Sequence, residues 1–226
     1  MMNYINLTSP DGVEDSRIAG LIAQLRRAAV PPEAIAVIQD LRAAGTPAVI
    51  QPLIEVLSHH HPSVPAAAVE ALVQLESAAV EPLIAAFRTS GDQGVQAYII
   101  QALARIGDAR ALDLLVEVVG VSVANHCQGN VRRVAARGLG RIGCNSPENV
   151  AACVAKLSWA LLSAEDWALR YAAAVSLAEI GTAEAQAALQ QALSPESDVV
   201  VQARIQTALE QLTGEKKPGF CDGLGI

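Results

Sequence analysis

Five twelve-residue windows align along this chain without a gap: VPAAAVEALVQL at 64–75, VQAYIIQALARI at 95–106, VRRVAARGLGRI at 131–142, LRYAAAVSLAEI at 169–180 and VQARIQTALEQL at 201–212. Each opens on Val or Leu, carries a small residue at its eighth position (Ala71, Ala102, Gly138, Ser176, Ala208), follows it with Leu and closes on Ile or Leu. Positions 1, 5, 9 and 12 stripe one face of an α-helix. Three windows are followed at once by glycine (Gly107, Gly143, Gly181), the residue that most readily takes the left-handed conformation closing a helix. The windows are therefore read as helices with built-in stops.

A small eighth residue lets a second helix approach closely, and the intervening segments supply that partner: Thr46–Leu57, Ala78–Phe87, Ala109–Val119, Asn149–Leu162 and Ala183–Leu193. One helix pair cannot bury its apolar stripe, whereas stacked pairs share a continuous core. Residues Ile18–Ala44 read as one further, degenerate pair capping the amino end. The composition agrees: 42 of 226 residues are alanine, 52% are apolar and 17% charged, a helix-forming mixture far too hydrophobic for disorder. The fold class expected is all-α, an α/α superhelix of five to six helical hairpins over residues 15–213, with frayed ends at 1–14 and 214–226.

Charge and aromatic content narrow the function classes. With 16 Lys and Arg against 23 Asp and Glu the formal charge is −7, which disfavours nucleic acid and anionic membranes. The longest uncharged stretches, Val56–Val69 and Val118–Val131, run fourteen residues and are too short to span a bilayer. The amino terminus carries no basic stretch leading into an apolar run, so a cytoplasmic protein with its four cysteines reduced is expected. The triplet His59-His60-His61 invites a metal reading, but consecutive helical residues diverge and no Cys-x-x-Cys or His-x-x-x-His partner lies near; no metal site is expected. Cys144, Cys153 and Cys221 show no ligand spacing and read as inert thiols. Trp159, Trp167 and Tyr171 read by default as core residues.

The closing Ile/Leu positions are 31, 36, 38 and 32 residues apart, so two units carry insertions. In the third unit the extra residues precede Val131, where VSVANHCQGN lies, and an insertion in a repeat array maps to a loop that often carries function.

The windows resemble HEAT-like repeats of the short kind found in phycobilisome lyases, over roughly Pro32 to Leu212. The order NVRRVAARGLGRI then DWALRYAAAVSLAEI resembles the F-type subunit of the heterodimeric E/F-type bilin lyases. The hexapeptide Asn125-His126-Cys127-Gln128-Gly129-Asn130 is similar, over all six residues, to the motif marking lyases that also isomerise the bilin, as in the phycoerythrocyanin lyase/isomerase. The resemblance implies an enzyme that attaches phycocyanobilin, a linear tetrapyrrole, to a cysteine of a phycobiliprotein α-subunit and isomerises it to phycoviolobilin. It also implies an E-type partner subunit, and the bilin as substrate rather than as a permanently bound cofactor. Attachment without isomerisation, and a non-catalytic HEAT scaffold or chaperone for phycobiliproteins, stand as alternatives.

Thiol addition followed by a double-bond shift moves a proton from one carbon to another, work suited to a side chain titrating near neutrality; His126 is the only histidine outside 59–61. Cys127 is the candidate bilin-contacting thiol, with its thiolate stabilised by a helix amino end, Asn130 serving as N-cap for a helix starting at Val131, and by Arg132 and Arg133. Gly129 would allow the tight turn presenting both side chains. Asn125, Gln128 and Asn130 complete the contacts implied by the motif. The two propionates of the bilin call for cations, for which Arg132, Arg133 and Arg170 are candidates, Arg132 and Arg170 being equally suited to inter-repeat ladders. Asp166 pairs with Arg170 or holds a pyrrole N–H, and Trp167 with Tyr171, four apart on one helical face, supply an apolar wall.

Overall fold

Residues 10–120 and 126–214 are described by the structure, a computed structural model, with side chains for 14–120 and 129–214. Twelve α-helices are found among the described residues: α1 (Pro10–Arg27), α2 (Pro31–Ala44), α3 (Ile50–Glu55), α4 (Ser63–Gln74), α5 (Ser77–Thr89), α6 (Gln93–Ile106), α7 (Leu112–Gly120), α8 (His126–Asn145), α9 (Val150–Ser163), α10 (Trp167–Ile180), α11 (Ala183–Leu193) and α12 (Val199–Thr213). Every repeat window lies in a helix of its own, and every intervening segment supplies the helix before or after it. The Thr46–Leu57 partner is shorter than its window suggests. Pro47 and Pro52 have no N–H to donate, and only Ile50–Glu55 is α-helical, with a turn of 3-10 helix on either side. Of the ends read as frayed, residues 1–9 and 215–226 lie outside the described residues.

The chain forms two compact units, one up to Tyr98 and one from Ile99. In the first, α1 packs on α2, α2 on α4, and α3 on α4 and α5; Ile38, Leu41, Leu53, Leu57, Leu72 and Leu83 are buried in its core. In the second, α8 packs on α7, α9 and α10, while α12 packs on α10 and α11. Its core holds Ile99, Ile100, Leu103, Leu115, Leu139 and Ile142.

The eighth window position is buried in all five helices, as the stripe requires. At Gly138 a Cβ would stand 2.7 Å from Leu115 Cδ1 and 2.8 Å from both Cα and Cβ of Ala104, so α8 meets the end of α6 almost backbone to backbone. Gly107 and Gly181 close their helices with φ of 69° and 66°. Gly143 does not: α8 runs past it to Asn145, and it serves close packing, a Cβ there falling 2.7 Å from Ile180 Cδ1. After the first window, Glu76 occupies the place of the closing glycine with φ 47°.

Candidate functional site

The helix starts of three windows follow a rule that the repeats make visible. Three residues before the windows at 95, 169 and 201 stands an aspartate that caps the helix. Asp92 accepts from Gly94 N–H (2.7 Å) and Val95 N–H (3.2 Å), Asp166 from Ala168 N–H (3.1 Å), and Asp198 from Val200 N–H (2.9 Å) and Val201 N–H (3.2 Å). In the third window that position is Gln128. With no short acceptor there to bind the free N–H groups, the helix does not start at that place, and α8 is already helical from His126. The expected loop before Val131 is corrected accordingly. Asn130 is an exposed residue within α8 rather than its N-cap, and Gly129 is a buried helical residue rather than a turn. A Cβ on Gly129 would lie 3.7 Å from Arg133 Nη2 and 3.9 Å from Asp166 Oδ2, so the motif sits beside the capped start of α10. Asn125 lies outside the described residues; of His126, Cys127 and Gln128 the helical backbone is described.

In three of the five windows the side chain at the second position reaches back to the carbonyls ending the preceding helix. Gln96 donates to Phe87 O (3.3 Å) and Ser90 O (2.9 Å); Arg132 Nε to Val119 O (3.0 Å); Arg170 Nη1 to Ala164 O and Glu165 O (both 2.9 Å). Cations at helix carboxyl ends also complement the macrodipole. Arg170 is further committed to Glu196 through Nε (2.8 Å) and Nη2 (2.9 Å), a pair only 15% and 4% exposed. The Arg170 hydrogen bond holds the Glu196 carboxyl below the usual glutamate range, more than offsetting burial, with the Asp198 N–H adding to it. This pair lines a cleft of about 270 Å³ that also involves Leu162, Glu165 and Pro195.

Asp166 pairs with Arg133 rather than with Arg170. Arg133 Nε donates to Oδ2 (3.0 Å) and Nη2 to Oδ1 (3.2 Å). Burial raises the Asp166 carboxyl, but the Arg133 and Ala168 hydrogen bonds together with the charges of Arg133 and Arg132 bring it below the usual aspartate range. Arg132 itself is 9% exposed, and burial works against its charge while Asp166 supports it. Lys156, on α9, was not singled out from the sequence. Its Nζ lies 4.2 Å from the Trp159 ring centroid, and a Cβ on Gly120 would meet it at 2.7 Å, so it reaches the end of α7 where Arg132 also binds. Burial and the Arg132 charge lower its affinity for a proton. The signal was available: Lys156 is the only charged residue between 150 and 163 and the only lysine apart from Lys216 and Lys217.

The default reading of the aromatics as core is also corrected. Trp159, Trp167 and Tyr171 are 41%, 49% and 37% exposed, because α9 and α10 turn those positions away from the helices packed on them. Trp167 and Tyr171 remain one turn apart on α10 as the spacing required. The histidine triplet is occupied locally: His59 and His60 stack at 4.4 Å, the His61 N–H donates to His59 Nδ1 (3.0 Å), and His61 Nδ1 lies 2.7 Å from Ser63 Oγ. Cys153 is buried, and burial pushes its thiol up to about 11, so it is held as an unreactive S–H. No helix among the described residues is long and apolar enough to cross a membrane.

Stacked helix pairs with capping aspartates and arginine ladders define a repeat protein, and the chain matches the HEAT repeats family over residues 18–97, 80–143 and 119–210. It is 56% identical over 198 residues to the bilin biosynthesis protein PecF of Mastigocladus laminosus, a match covering 85% of this chain and 93% of that protein. It is 61% identical over 159 residues to PecF of Nostoc sp. strain PCC 7120, covering 70% and 92%. A chain in the structure of the complex of CpcE and CpcF of phycocyanin lyase from Nostoc sp. PCC7120 superimposes with a TM-score of 0.62 at 32% identity, covering 71% of this chain and 98% of that one. The chain belongs to the F-type subunits of the HEAT-repeat bilin lyases, as the windows and the hexapeptide implied.

Proposed function

We propose that this chain is the F-type subunit of a heterodimeric lyase/isomerase that attaches phycocyanobilin to a cysteine of a phycobiliprotein α-subunit and converts it to phycoviolobilin. It does so in the cytoplasm with an E-type partner. The observation that carries this reading is the 56–61% identity to two PecF proteins over most of the chain, in a sequence holding the complete hexapeptide 125–130. In attachment, the acceptor S–H adds across an exocyclic C=C of the bilin's first ring: a C–S bond forms and the thiol proton ends on carbon. Isomerisation then takes a proton from one carbon and returns it to another while a double bond shifts. Nothing is oxidised or reduced, and no further cofactor is called for.

His126 is the proposed proton shuttle. Cys127 is the proposed bilin-contacting thiol. Helical backbone from His126 supports the second role, because a thiolate in the first described turn of α8 is favoured by the partial positive charge of a helix amino end, with Arg132 and Arg133 adding full charges nearby. Arg133, half exposed beside Asp166, is the better-placed propionate ligand of the original three; Arg170 would have to release Glu196. Asp166 acts by holding Arg133, while Trp167 and Tyr171 offer exposed apolar surface for a flat ligand.

The test is coexpression of this chain with its E-type partner, an acceptor α-subunit and phycocyanobilin, reading the absorbance of the product. The expected product is the isomerised chromophore, with His126→Ala and Cys127→Ala each losing the isomer shift. Unisomerised adduct from the parent chain would favour simple attachment; bilin binding without transfer would favour a scaffold. If both variants still yield the shifted chromophore, the residue roles are wrong.

A further inference from the structure

Two cations, Arg132 and Lys156, converge on the carboxyl end of α7, and neither has a carboxylate of its own among the described residues. Arg132 uses Nε on Val119 O (3.0 Å); its two terminal nitrogens have no hydrogen-bond partner among the described residues. Lys156 Nζ rests against Gly120 and over Trp159, 4.2 Å from the ring centroid, and makes no ion pair among the described residues. The carboxylate whose charge reaches Arg132 is Asp166, already held through both oxygens by Arg133. Asp166 is thus shared between two arginines, and Lys156 feels the charge of Arg132 with no ion pair among the described residues to offset it. Holding a buried cation beside a half-buried one is unfavourable, and burial together with the Arg132 charge lowers the proton affinity of Lys156. Capping the last carbonyls of α7 accounts for one of them; the window's second position does that work in other repeats with one side chain. The second cation, planted in an otherwise uncharged helix, is left over.

We propose that Lys156, with Arg132, receives one propionate carboxylate of the linear tetrapyrrole, and that Trp159 fixes the ammonium in place and offers an exposed face to the same ligand. This rests on the bilin reading above and adds a positioning residue to it. A carboxylate between Arg132 and Lys156 would neutralise both and make charge-assisted hydrogen bonds to each. Arg132 belongs to α8, the helix that also carries residues 126 and 127, so the carboxylate site and the hexapeptide share one element.

The test uses the complex of the full chain with its E-type partner, titrated with phycocyanobilin as the free acid and as its dimethyl ester, binding being read by the change in bilin absorbance. The parent complex should bind the free acid more tightly than the ester. Lys156→Gln should weaken the free acid by roughly ten-fold, as expected for one hydrogen bond to a charged group, and leave the ester unchanged. Lys156→Arg should restore the preference. Equal loss for acid and ester, no loss at all, or a parent complex indifferent to esterification would overturn the proposal while the bilin reading stands. A parent complex that binds neither form would overturn the bilin reading itself.

Discussion

Replacing Gly138 with alanine should destabilise the second unit, although alanine is the better helix former. A Cβ there would sit 2.7 Å from Leu115 Cδ1 and 2.8 Å from Ala104 Cα and Cβ. Carbon atoms settle at about 3.5–4.0 Å, so relief requires a separation on the order of 1 Å. Leu115 can rotate, but Ala104 Cα is backbone and can yield only if α6 and α8 move apart. Overpacking of this kind costs about 1–3 kcal/mol, against a propensity gain of roughly 1 kcal/mol for leaving glycine. Because the contact is with backbone, which cannot rotate away, the cost falls in the upper part of that range, about 2–3 kcal/mol, and the expected net is a loss of about 1–2 kcal/mol, or roughly 2–8 °C in Tm for a chain of this size. Gly20→Ala is the control: it lies in α1 with nothing within 4 Å of the added Cβ, and should gain about 1 kcal/mol. Urea and thermal unfolding followed by far-UV circular dichroism would measure both variants against the parent. A Gly138→Ala chain as stable as the parent, or more so, would refute the claim that α8 and α6 approach backbone to backbone at Gly138.

Two further expectations concern stability. Glu196→Gln should lose about 2 kcal/mol at neutral pH, the scale of a hydrogen bond to a charged group. Because the folded carboxyl titrates below its ordinary value near 4.5, its contribution is complete above that value and fades as pH falls through the lower folded one. Urea midpoints measured against pH should therefore show a shallower acid limb in the variant, and parallel curves would count against the pairing with Arg170. Glu76→Gly should raise the unfolding free energy by about 1 kcal/mol, and the urea midpoint with it, since an exposed residue with φ 47° occupies a position where two other repeats use glycine. A lower midpoint would show that the Glu76 side chain matters more than its backbone.

Much of the site was legible before any coordinates, and the exceptions share a cause. The hexapeptide, the arginines and Asp166 were identified as residue types in sequence order. Their partners were not: Asp166 binds Arg133, 33 positions away, and Arg170 binds Glu196, 26 positions away, choices set by how successive repeats stack. Asn130 looked like a cap because it is an Asx residue ahead of an apolar stripe. The aspartates of three other repeats show that the capping place lies two residues earlier, where the third unit has Gln128. Lys156 escaped notice because a lone lysine on a helix is usually a solvated one.

What could be read along the chain is whatever a single helix dictates. An i to i−4 hydrogen-bonding pattern repeats every 3.6 residues, so buried faces, small contact positions and glycine stops recur at fixed intervals and appear as aligned letters. Which of those faces another helix covers depends on the packing of neighbours that no local interval encodes. That is why Trp159, Trp167 and Tyr171, read by default as core, are partly exposed to solvent, and why Gly143 makes room for Ile180 instead of ending α8. The convergence of Lys156 and Arg132 on the end of α7 has the same origin: residues 24 positions apart become neighbours only when α9 and α8 both lie against α7.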